Sequence, residues 1–137
     1  MEEASIHDNY VISYTVLCED RKLIMHTEQS YLMPAERTDV IFHGMEAYFL
    51  EGDNFGTVLF SIDEVQIDSL VEENRSKFDE GTKYAWPGPW NKSVEDSKKY
   101  LKDGNCRAWS ISSSIGMRGF VIAQGIKFRK HTTKPKG

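Results

Sequence analysis

The chain has 137 residues, 39% of them hydrophobic and 28% charged, with a formal net charge of −4, the composition of a water-soluble globular domain. Its apolar runs are only a few residues long, as at Val121-Ile122-Ala123, against the ~20 that a helix needs to cross a bilayer, so no membrane association is expected. Five of the last eleven residues are basic (Lys127, Arg129, Lys130, Lys134 and Lys136) and none is acidic, which leaves 12 basic against 21 acidic side chains, −9, over the first 126. An acidic body repels nucleic-acid phosphates and attracts basic proteins. Nucleic acid is therefore disfavoured, and a basic protein is the expected kind of partner.

In chain order, residues 1–9 are acidic and lack the basic and apolar stretches of a secretory leader. They and residues 131–137 are expected to fray, and a cytoplasmic setting is expected. Tyr10, Ile12, Tyr14 and Val16 alternate with Val11, Ser13, Thr15 and Leu17, a period of two rich in β-branched and aromatic residues that predicts a strand. After the polar Glu19-Asp20-Arg21 turn, Lys22 to Gln29 predicts its hairpin partner. Beyond a loop around Pro34, Thr38 to Leu50 carries apolar residues on both faces. Val40, Phe42, Tyr48 and Leu50 fall on one, Ile41, Met45, Ala47 and Phe49 on the other. That pattern implies a strand covered on both sides or one bulged near Gly44. Gly52-Asp53-Asn54-Phe55-Gly56 is a turn by composition, and Thr57 to Ile62 is expected to return as the second strand of a hairpin.

The period then changes. From Asp63 to about Phe78, the residues Val65, Ile67, Leu70, Val71 and Phe78 recur mostly at helical spacing, with Ser61 and Glu64 in a capping-box relation and Gly81 just past the end. A second, shorter helix is predicted from Ser93 to Asp103, with Ser93 and Asp96 at its start and Gly104 at its end. Two strands close the chain. Trp109, Ile111 and Ile115 oppose Ser110, Ser112 and Ser114, and Phe120, Ile122, Ile126 and Phe128 alternate with smaller or polar residues, with a turn at Gly116-Met117-Arg118-Gly119. The reading is an α+β fold in one domain, residues 1–137, a curved antiparallel sheet of about six strands in the order ββββααββ with two helices on one face or end.

Chemistry-bearing residues are sparse. Tyr84-Ala85-Trp86-Pro87-Gly88-Pro89-Trp90 places three aromatics on a stretch stiffened by two prolines, the make-up of a recognition loop or of a lid folded over the core. Tyr84, Trp86 and Trp90, with Trp109, are the candidate binding residues. His26 and His43 lie in consecutive predicted strands with Glu28 and Glu46 as possible companions, but their spacing matches no metal motif, and no metal or other cofactor is expected. Ser112-Ser113-Ser114 lacks a nucleophile elbow, and Cys18 and Cys106 lack a sequence context that identifies a base. No catalytic residue is assigned. Two functions follow. The first is a non-catalytic protein-binding domain that covers a basic partner as an immunity or inhibitor protein does. The alternative is a small-molecule binder or enzyme whose pocket, between sheet and helices, is lined by Trp86, Trp90, Trp109, Tyr48 and His43.

Overall fold

The computed structural model describes residues 6–29, 34–52, 56–84, 86–87 and 92–132, the last without its side chain. Alternating β-branched, aromatic and polar residues build six strands: β1 (Tyr10–Leu17), β2 (Lys22–Gln29), β3 (Glu36–Glu51), β4 (Val58–Val65), β5 (Arg107–Ile115) and β6 (Arg118–Thr132). Between β4 and β5 lie α1 (Ile67–Glu73), α2 (Arg75–Thr82) and α3 (Val94–Asp103). The α+β class, with helices inserted after the fourth strand of an antiparallel sheet, is as the sequence implies. The sheet curves until it closes into a barrel in the order β1-β2-β3-β6-β5-β4.

The β1–β2 and β5–β6 hairpins form as predicted. The expected hairpin between β3 and β4 does not. β3 pairs with β2 and β6, while β4 pairs with β5 along its length and with β1 through Tyr10 opposite Val58. Of the turn predicted between them, residues 53–55 lie outside the described residues. Local composition marks a turn but cannot choose which strands it joins.

The long β3 is both covered on two faces and bulged. Gly44 has φ +61°, and the β3–β6 register shifts between Met45 and Ala47. The bulge carries Met45 to the barrel side with Val40 and Phe42, leaving Ala47 and Phe49 on the other, so Met45 changes sides relative to unbroken alternation. Phe120 and Ile122 likewise face the helices, whereas Ile126 and Phe128 pack toward the barrel core.

The single helix expected from Asp63 to Phe78 is instead two. β4 continues through Val65 because Glu64 and Val65 stay in the ladder opposite Trp109 and Ala108, so Ser61 and Glu64 cap nothing. Ser61 donates to Asp63 at 2.7 Å and Glu64 accepts from Arg107 at 2.8 Å. Asn74 separates α1 from α2, its side-chain amide donating to the Leu70 carbonyl at 2.9 Å in competition with the backbone. Gly81 lies inside α2 rather than beyond it. The helix α3 follows its local signals: Ser93 accepts from the Asp96 amide at 3.1 Å, Glu95 and Asp96 occupy the first turn, Lys102 the last, and Gly104 ends it.

Two cores result. Leu23, Met25, Val40, Phe42, Leu59, Trp109, Ile111, Met117 and Val121 fill the barrel. Ile67, Leu70, Val71, Phe78, Val94 and Leu101 from the helices cover Ala47, Ala108, Phe120 and Ile122 on the outside of β3, β5 and β6. Each fully buried Leu or Phe contributes about 1.5–3 kcal/mol relative to exposure. Residues 6–9, expected to fray with the rest of 1–9, are anchored. Ile6 and Asn9 are buried, and the Asp8 amide donates to the Leu59 carbonyl at 2.9 Å. His131 and Thr132 continue β6 instead of forming a loose tail; residues 1–5 and 133–137 lie outside the described residues. No helix among the described residues is long and apolar enough to cross a membrane.

Candidate functional site

The aromatic residues singled out in the sequence do not converge. Trp109 is 3% exposed inside the barrel, edge-on to Phe42 with centroids 5.6 Å apart. Trp86 packs on Phe78 in the helix-side core at 4.9 Å, and Tyr84 is 75% exposed. Trp90 lies outside the described residues. Because Trp86 and Trp109 belong to cores on opposite faces of one sheet, they cannot line one pocket. Trp86 does what a lid would do, sealing the end of α2. His26 and His43 are also apart. His26 stands opposite Asp39 and His43 opposite Lys22, four residues along the strands, or roughly 13 Å. Their supposed companions are engaged elsewhere, Glu28 with Arg37 at 3.1 Å and Glu46 with Arg21 at 2.8 Å.

A different set converges on the outside of β1, β2, β3 and β6. The alternation of β2 turns Leu23, Met25 and Thr27 inward and His26 and Glu28 outward. Cross-strand register then places Ser13, His26, Asp39 and Arg129 on one rung, and Glu28, Arg37 and His131 on the next rung of the same face. A bulge between Val11 and Ser13 brings Ile12 to its edge. Ile12, Ser13, His26, Arg37, Asp39, Arg129 and His131 line an open cleft of about 470 Å³.

Asp39 organises this cleft. Its carboxylate is 5% exposed, with Oδ1 2.8 Å from His26 Nδ1 and Oδ2 2.8 Å from an Arg129 terminal nitrogen and 3.6 Å from His131 Nε2. Burial alone would raise its pKa, but the Arg129 and His26 hydrogen bonds, the His26 charge and the His131 hydrogen bond together hold it below the usual aspartate value. The ionised carboxylate orients the His26 ring through Nδ1, and Arg37, Arg129 and Ser13 add donors to the cleft wall. Sequence reading missed Asp39 and Arg37, counted Arg129 among the basic residues of the C-terminal end and placed His131 in a fraying terminus. The available signal was His26-x-Glu28, Arg37-x-Asp39 and Arg129-x-His131, three polar pairs at the two-residue spacing that shares a strand face.

A second surface adjoins it. Tyr10, Ile12 and Leu17 on β1 and Phe60 on β4 are exposed there, Ile12 at 46% and Phe60 at 54%, whereas the exposed Tyr14 stands opposite Met25 on the other side of the strand. Elsewhere, Cys106 is buried where Glu46, Tyr100, Asp103 and Gly104 bound a cleft of about 300 Å³. Burial, assisted by the Glu46 charge, raises its thiol pKa, the opposite of an activated nucleophile. Among the described residues no group of three or more His, Cys, Asp or Glu is placed to hold a metal ion. No family model, curated protein or solved structure matches the chain.

Proposed function

We propose that the protein is a non-catalytic binding domain that meets a basic protein partner through the outer surface of β1 and the adjoining part of β4, in a cytoplasmic setting. One observation carries this reading: among the described residues, three of the eight exposed large hydrophobic side chains, Tyr10, Ile12 and Leu17, share the outer side of one eight-residue strand, with Phe60 on the strand beside its start. Exposed apolar residues scattered singly need no explanation, but such a concentration marks an interaction surface, and tyrosines are favoured anchors there. Glu19 and Asp20, both exposed at the end of the β1–β2 hairpin, give that surface an acidic rim, which favours a basic partner. The helices are less suited to the role. Half of their eight acids are matched by basic side chains within the chain, Glu72 by Arg75 and Lys98, Glu95 by Arg75, Asp68 by Lys102 and Glu80 by Lys83.

A photoreactive amino acid at position 17 tests this, with the same group at the exposed position 84 as control, in native-host cells and with mass-spectrometric identification. The expected result is one basic protein crosslinked from position 17 and not from 84. Crosslinks to a second copy of this chain, to acidic proteins, or equally from both positions would overturn the assignment.

A further inference from the structure

We infer that the cleft around Asp39 binds the phosphate group of a small phosphomonoester. Its walls carry two guanidinium groups and two imidazoles, from Arg37, Arg129, His26 and His131, and the nearby carboxylates, Asp39 and Glu28, are already engaged by Arg129, His26 and Arg37. The two guanidiniums offset the two carboxylates in formal charge, so an anion is held by directed guanidinium and imidazole N–H donors. Arg37 and His131 stand opposite one another on one rung, Asp39 and Arg129 on the next. Strand geometry makes this a rectangle about 5 Å by 7 Å, of a size for one tetrahedral oxyanion to meet donors on three sides.

Asp39 serves such a site by restraint. Almost fully buried, it ties Arg129 and His26 to fixed positions, so less freedom is lost when an anion arrives. Arginine forks suit phosphate oxygens in particular. The cleft of about 470 Å³ exceeds what phosphate alone occupies and includes Ile12 in its wall, so the ester carries a small apolar or aromatic group. The acidic body disfavours a nucleic-acid source for the phosphate. This inference does not depend on the partner surface of β1, with which it shares only Ile12.

The test is a titration of the full chain with phenyl phosphate, inorganic phosphate, benzoate and a single-stranded oligonucleotide, read by amide and histidine-ring NMR signals. Saturable shifts are expected at His26 and His131 but not at His43, with phenyl phosphate bound at least about tenfold more tightly than benzoate or inorganic phosphate. Arg37→Gln should weaken phenyl phosphate by about tenfold, Ser13→Ala by less, and Arg75→Gln on the helices not at all. Amide spectra that overlay away from the cleft would show that the variants are folded. No saturation at millimolar phenyl phosphate, undiminished binding by folded Arg37→Gln, or benzoate bound as tightly would overturn the phosphate site. Inorganic phosphate or the oligonucleotide binding as tightly as phenyl phosphate would overturn the monoester assignment.

Discussion

The Asp39 carboxylate and the His26 imidazole face one another across the β2–β3 ladder, joined at 2.8 Å, although 13 positions separate them in the chain. The pair places an almost buried negative charge on the outside of a barrel, where only its basic neighbours compensate the cost of removing it from water.

Asp39 therefore contributes stability that depends on pH. Its pKa is lowered by folding, so the contribution is present above the ordinary aspartate range and is lost as pH falls through the depressed value. Asp39→Asn should lose about 1–3 kcal/mol at pH 7, and its difference from wild type should shrink as the pH approaches 3. Urea unfolding at the two pH values checks this. A difference independent of pH would show that the charge has no part in it.

Trp109 and Tyr84, both candidates for binding in the sequence, should separate by stability. Trp109→Ala removes a ring packed on Phe42 inside the barrel and should cost about 3–5 kcal/mol. Tyr84→Ala should stay within about 0.5 kcal/mol. Denaturant midpoints of the two variants at equal slope provide the comparison.

Gly81→Ala should destabilise even though alanine is the better helix former by about 1 kcal/mol. A Cβ there would lie 2.4 Å from the Trp86 ring and 2.7 Å from its carbonyl oxygen, and the Trp86 amide is already tied to the Gly81 carbonyl at 2.9 Å. Overpacking against backbone that cannot easily move costs about 1–3 kcal/mol. At Gly125 the Cβ would meet only the His43 ring among its nearest atoms, which can swing away, so Gly125→Ala should cost less. Thermal melts of both variants decide the order.

Thr27 and Thr38 make the opposite pair. Thr27 accepts from Asn9 at 3.0 Å and donates to the Thr38 carbonyl at 2.7 Å, whereas the Thr38 hydroxyl is buried without a hydrogen-bond partner among the described residues. Thr27→Val should cost about 1–3 kcal/mol by removing the acceptor of the buried Asn9 amide, and Thr38→Val should be neutral or stabilising. Equal losses in urea unfolding would contradict this account.

Where elements depend on near neighbours, the chain is legible by itself. β1 and β2 follow from alternation and a polar turn, α3 from Ser93, Asp96 and Gly104, and the bulge of β3 from Gly44, because side-chain direction, caps and positive φ are set within a few residues. The α+β class follows from the order of those elements. Barrel closure does not, since the pairing of β4 with β5 and β1 brings together segments whose alternation is equally compatible with other partners. Neither does the division of aromatics between two cores, which depends on which face the helices cover. The cleft lies at the far end of this scale. Ser13, His26, Asp39 and Arg129 share a rung only because three ladders are in register. Spacing at two marks which polar residues share a face within each strand, but register between strands is decided by packing of the whole barrel, and that alone turns an isolated aspartate and part of a basic tail into one site.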